Sequence, residues 1–284
     1  MLDKKRFEVK NNNKFFTPQR IKNIVFTLCY IGIIGTIFYN ANIIYAWQKD
    51  GAYTKELQSD FVKFADIKET NISRKDLLSS VKNEDSNKYY FKYTNLKNIN
   101  ANFEILQNIN DEVTSWIKVP STKVNYPVVQ GNDNKYYLSH SFDKSDSSIG
   151  WVFLDYRNNK YFNDKNTVIY SNGKLDDVLF GSLNDILDVS WYNELSNRII
   201  KTSTKTNNNL WEIFSVYNAD KDEIMISFNS DNEYINYLNK IKNKSIFNFN
   251  IDVNNIEKIL TLKSFNDKKS IIIHARLISH TINE

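Results

Sequence analysis

Hydrophobic positions along this chain fall into three textures. From Asn23 to Gln48 no side chain is charged, and Ile24–Tyr39 is almost continuously apolar. About 20 helical residues cross a bilayer's hydrocarbon core, so the stretch suffices with Asn40 and Asn42 near the far interface. Tyr45 and Trp47 then fall in the aromatic belt. Next, Thr54–Lys68 carries Leu57, Phe61, Phe64 and Ile67 at spacings of three and four, which predicts an amphipathic helix. Asn71–Asn98 is polar with weak periodicity, and a short helical piece is expected around Asn102–Asn108. Residues 48–105 therefore read as a helical extension. From Thr114 the chain turns to short runs of Val, Ile, Tyr, Phe and Trp between Asn, Asp, Ser and Lys. The predicted strands are Trp116–Val119, Val124–Val129, Trp151–Leu154, Thr167–Tyr170, Leu210–Asn218, Glu223–Phe228, Ile259–Leu262 and Ile271–Ile278. Helices are expected over Asp176–Leu187 and Asn232–Lys242, the second with a Ser230/Glu233 capping box. Eight short strands in this order predict a mostly β fold, a closed or nearly closed barrel.

Charge sharpens the membrane reading. The net charge is +4, but residues 1–23 alone hold seven basic and two acidic groups, so the remaining 261 residues sum to −1. A nearly neutral body lacks the basic stripe that nucleic-acid binding needs. The basic flank before the apolar run places that end in the cytoplasm and the C-terminal body outside the cell. No small-x-small cleavage site follows the run, so it reads as an uncleaved anchor rather than a signal peptide. The expected layout is a cytoplasmic tail over 1–23, a transmembrane anchor over 24–47, the extension over 48–105 and a barrel domain over 106–284.

Cysteine usage then limits the chemistry. The one cysteine is Cys29, inside the apolar run. The body can hold no disulfide, no cysteine-based zinc cluster and no thiol nucleophile. No ligand-type residues cluster at useful spacing, so neither a metal nor another cofactor is expected. The heavy use of Asn and Lys is read as codon composition.

Several landmarks resemble one family in order. Asp111–Trp116 followed by Pro120, YPVVQ at Tyr126–Gln130, YYL at Tyr136–Leu138 and FLDY at Phe153–Tyr156 are similar to the entry, strands and loops of class B sortases. These are membrane-anchored cysteine transpeptidases of Gram-positive cell surfaces. The resemblance covers about 112–284 and implies a sortase-like eight-stranded barrel with short helices, preceded by the anchor and extension.

The family's catalytic letters are absent at the matching positions. Its Tyr-Gly-His-Asn segment matches Tyr170-Ser171-Asn172-Gly173, with Phe180-Gly181 eight residues on, which places Asn172 at the histidine. An amide hydrogen-bonds but cannot shuttle a proton near neutral pH. Its Leu-Thr-Leu-x-Thr/Ser-Cys segment matches Leu260–Ser264, which places Phe265 at the cysteine that would form a thioester. Its arginine, which stabilises developing negative charge, falls at Ser270. Arg276 shares that strand face, but six strand residues separate the two by roughly 20 Å.

Other side chains offer little to rebuild a site. Ser264 is the best remaining nucleophile, yet strand alternation aims it away from Phe265's face. His140, His274 and His280 read as surface or packing residues, and Asp176 and Asp177 as helix-start residues. The expectation is a sortase-like protein without catalysis that binds a sorting-signal peptide or another cell-envelope protein. The alternatives are a transpeptidase or hydrolase using Ser264, and a purely structural docking element.

Overall fold

The computed structural model describes residues 17–78, 96–175, 177–219, 224–254, 256–266 and 270–283. The chain divides into two units, Met1–Ala46 and Trp47–Glu284. The first holds most of α1 (Pro18–Phe64). Pro18 is the first helical residue, where its missing N–H costs nothing, and Thr17 caps it through a 3.4 Å bond from the Arg20 amide. Within this unit Ile24, Phe26, Ile31 and Phe38 are all more than half exposed. The helix is long and apolar enough to cross a membrane.

In the second unit α1 continues to Phe64 and buries Gly51, Thr54 and Phe61. The predicted stripe is borne out at Phe61, whose ring lies 4.5 Å from Phe142 and 5.9 Å from Trp151, while Phe64 stays exposed. The helix stops short of Lys68: Asp66 takes φ 41° and turns the chain into β1 (Lys68–Asn71). β1 pairs antiparallel with β2 (Lys97–Asn100). The stretch 48–105 is thus not helical throughout. Between its helices lies a two-stranded sheet, whose Asn98 and Ile99 are both buried between exposed Lys97 and Asn100. The short helix expected near Asn102 is α2 (Glu104–Ile109).

The barrel comprises β3 (Val113–Lys118), β4 (Asn125–Val129), β5 (Phe153–Leu154), β6 (Asn166–Asn172), β7 (Ile199–Thr204), β8 (Asn207–Ala219), β9 (Ile259–Phe265) and β10 (Ser270–Ile282). It closes in the order β10-β8-β7-β3-β4-β5-β6-β9. The mostly β, eight-stranded fold is as expected. Its parallel pairs, β4 with β5 and β6 with β9, put the ends of β6 and β9 side by side. Closure matters because it removes every exposed edge.

One strand differs from expectation. Residues 224–228 pair with no strand, and the Met225 carbonyl instead accepts a 2.7 Å bond from Asn166 Nδ2. Their apolar side chains lie half-buried on the core as a cover, which a purely local pattern cannot distinguish from a strand. Glu223 lies outside the described residues. The eighth strand is β7, whose Thr202-Ser203-Thr204 half is polar. It pairs because the Lys205–Thr206 turn folds it onto β8, where Trp211 Nε1 donates to Thr202 Oγ1 at 2.9 Å.

The helix expected over Asp176–Leu187 is also corrected. Asp176 lies outside the described residues, 177–180 form turns, and only Gly181–Leu187 coils, as a 3-10 helix. Leu179 takes φ 53° and gives its amide to the buried Tyr126 hydroxyl at 3.0 Å, which ends any α-helical ladder there. Later come α3 (Val189–Asn193) and α4 (Asp231–Asn243). Ser230 caps α4 by accepting from the Glu233 amide at 3.2 Å. The Glu233 carboxylate reaches back to the Asn229 amide, one residue beyond the usual capping-box partner.

Candidate functional site

Parallel register brings the first two of the sequence-marked positions together. Asn172, at the end of β6, is the pairing partner of Phe265, at the end of β9. β10 pairs with β9 antiparallel from Ile272↔Lys263 onward. Continuing that register by two residues sets Ser270 across from Phe265. All three positions therefore converge at one end of the barrel, although 93 residues separate Asn172 from Phe265.

Two of these side chains are held by close partners there. Asn172 is buried, and both N–H groups of its amide are used: Nδ2 donates to the Leu138 carbonyl at 3.0 Å and to the Ile149 carbonyl at 2.8 Å. Its own carbonyl accepts from the Phe180 amide at 3.2 Å. One residue thus ties the 138–150 loop and the 173–180 loop to the end of β6. A neutral imidazole, with one N–H, could serve only one of the two carbonyls.

Phe265 is half-buried and stacks on Tyr170, with ring centroids 5.5 Å apart and planes at 21°. Lys263 Nζ lies 5.4 Å from the Phe265 ring centroid, on the same face by strand alternation. Beneath the stack lies a charged anchor. Tyr170 donates its hydroxyl to Asp155 Oδ2 at 3.1 Å, and Arg157 grips the same carboxylate through Nε at 2.9 Å and Nη2 at 2.8 Å. Asn134 Nδ2 adds a 2.9 Å bond. Burial would raise the Asp155 pKa, but the bonds from Arg157 and Asn134 outweigh it and hold the carboxyl below its usual value. Burial and then the Asp155 charge push the Tyr170 phenol well up, so it stays protonated.

Ser264 is buried on the opposite face, paired with Ser171. A Cβ built on Gly173 would come within 2.5 Å of Ser264 Oγ, so the hydroxyl is sealed against glycine backbone. Arg276 does not reach the site. It lies within β10, bonded through Nε and Nη2 to the buried Glu212 carboxylate at 3.0 and 2.8 Å.

The histidines are dispersed. His140 stacks on Tyr136 at 3.9 Å in a loop. His280 bonds Asn209, and burial lowers its pKa. His274 is fully buried with a partner at each ring nitrogen: Thr261 Oγ1, which donates to Asn166 Oδ1 at 2.8 Å, lies 2.8 Å from Nδ1, and the Tyr217 hydroxyl lies 3.1 Å from Nε2. Asp177 pairs with Lys55 on α1 rather than starting a helix. Among the described residues no three His, Cys, Asp or Glu side chains gather to hold a metal ion.

Sequence reasoning missed Lys263 and the Tyr170–Asp155–Arg157 anchor as parts of this site. Period-two alternation from Phe265 would have found Lys263. The anchor depends on β5 lying beside β6, which no local signal announces.

Comparison with known proteins fits this geometry. No protein-family model matches the chain. Sortase B of Staphylococcus aureus (strain NCTC 8325 / PS 47) is 32% identical over 189 residues, covering 64% of this chain and 77% of that protein. The crystal structure of sortase B from B. anthracis in complex with AAEK1 superposes with a TM-score of 0.65 at 27% identity, covering 81% of this chain and 99% of the other. The Staphylococcus aureus sortase B–substrate complex gives a TM-score of 0.57 at 32% identity, over 62% and 84% of the two chains.

Proposed function

The chain belongs to the class B sortase family, and from that premise we propose that it is a catalytically inactive member acting as a peptide- or partner-binding module. In this reading residues 24–47 anchor it in the membrane of a Gram-positive cell, with 1–23 cytoplasmic. Residues 48–105 follow as an extension, and 106–284 form the cell-wall-facing barrel domain. The observation that carries it is the absence of a thiol: the one cysteine is Cys29, in the apolar stretch, so no thiolate exists to form a thioester.

The surroundings of the three positions support the same reading. Asn172 spends its amide on two loop carbonyls, and Phe265 is committed to the Tyr170 stack. Ser264, the alternative nucleophile, is buried against Gly173, leaving no approach for a carbonyl. A staphylococcal relative has been solved with its substrate, which makes a sorting-signal peptide the first ligand class to test.

The experiment incubates full-length protein in detergent micelles with a panel of sorting-signal peptides and an amine acceptor. Products are read by mass spectrometry and binding by fluorescence anisotropy. Saturable binding without cleavage above a heat-killed control is expected. Turnover that disappears in Ser264→Ala would overturn the inactive reading in favour of a serine mechanism.

A further inference from the structure

The two loops tied together by Asn172 have a second set of ties, all made to residues 47–55 of α1. Asp50 accepts from the Ser148 amide at 2.7 Å and from Ser148 Oγ at 2.5 Å. One turn on, the Tyr53 hydroxyl donates to Asp143 Oδ2 at 2.7 Å, a bond that pushes the phenol's pKa up to about 12. Both partners, Ser148 and Asp143, belong to the 138–150 loop. The same stretch of helix also meets the other loop. Lys55 pairs with Asp177, and Gly51 lies so close that a Cβ there would be 2.6 Å from Leu175 Cδ1. Lys174 joins all three parts: its ammonium donates to the Ser148 carbonyl at 2.8 Å and lies 5.5 Å from the Trp47 ring centroid.

On their far side the loops reach the family's catalytic positions. Ile149, next to Ser148, gives its carbonyl to Asn172, and the Gly173 amide donates to the Phe265 carbonyl at 2.7 Å. An unbroken series of bonds thus runs from Asp50 through Ser148 and Ile149 to Asn172, Gly173 and Phe265. Neither loop has an extensive strand ladder of its own, so side-chain ties of this kind set where each sits.

We propose that residues 47–58 of α1 are a conformational strap that sets the two loops flanking Asn172 and Phe265, so that displacing the helix shifts both loops together. The strap stands whether or not those loops border a peptide-binding surface. It gives this chain a way to couple its helix to its surface without any chemistry. The close approach at Gly51 and the paired carboxylate bonds at Ser148 are what make it a two-loop device rather than ordinary helix packing.

Hydrogen–deuterium exchange of the full-length protein in micelles tests this. Asp50→Ala removes only the Ser148 bonds, so exchange about tenfold faster is expected at 148–150 and also at Gly173 and Phe180, which Asp50 does not touch. The β7–β8 hairpin should be unchanged. Gly51→Ala pushes first on Leu175, and altered exchange is expected in the 138–150 loop as well as in 173–180. Changes confined in both variants to the loop directly touched would overturn the strap, as would an even rise across the whole barrel in both.

Discussion

Replacing Asn172 tests the site most directly, because its amide satisfies two buried carbonyls. In Asn172→Ala the Leu138 and Ile149 carbonyls lose donors now at 3.0 and 2.8 Å, within a pocket where Asn172 is only 6% exposed. A net hydrogen bond is worth about 1 kcal/mol, and leaving a buried acceptor unsatisfied costs about 1–3 kcal/mol. Two acceptors therefore give a loss of about 2–6 kcal/mol. For a domain of this size the middle of that range lowers Tm by about 8–16 °C. Asn172→His keeps one donor at most, so about half the loss is expected, and the histidine should not stabilise the fold. Urea titration followed by tryptophan fluorescence measures both, and the chain has five tryptophans, among them Trp151 beside the loop. A change below about 0.5 kcal/mol in Asn172→Ala, or a gain in Asn172→His, would refute the reasoning.

Two further outcomes follow from neighbouring residues. Gly150 sits at φ 65°, and a Cβ there would meet the Tyr137 carbonyl oxygen at 2.3 Å and that of Leu138 at 2.7 Å. Gly150→Ala should cost about 2 kcal/mol or more, and an unchanged melting temperature would contradict the placement of this loop. The depressed pKa of Asp155 contributes stability that is fully present above its unfolded value, about pH 4, and lost as pH falls through the lower folded value. Acid unfolding of Asp155→Asn should therefore be flatter below pH 4 than that of the parent, and identical slopes would remove Asp155 from the linkage.

The barrel was legible in the sequence wherever burial imposes a local rhythm. β3, β4, β6, β8, β9 and β10 announce themselves as β-branched and aromatic runs, and Ser230 with Glu233 announces α4. The pattern failed where a partner decides. Thr202-Ser203-Thr204 is polar yet becomes strand because β8 folds back on it, whereas Ile224–Phe228 is apolar yet remains a cover. Leu179 leaves the helical region because a tyrosine 53 residues earlier takes its amide. Asn172, Phe265 and Ser270 were singled out by motif spacing, and the β6–β9 register sets the first two side by side. Their companions Lys263, Tyr170 and Asp155 were not recognised as such.

By itself the sequence determined that this body contains no thiol, that an apolar stretch long enough to span a bilayer precedes it, and that a strand-rich domain follows. These are properties of composition and period, which survive any arrangement in space. Only the tertiary structure decided that Asn172 and Phe265 are neighbours, that the Asn172 amide is spent on two loops, and that α1 holds those same loops from behind. Such facts depend on which strands pair in parallel and which carbonyls are left for side chains to satisfy. Both are settled by closing the barrel, where every strand must find two partners and each buried polar group a donor or acceptor.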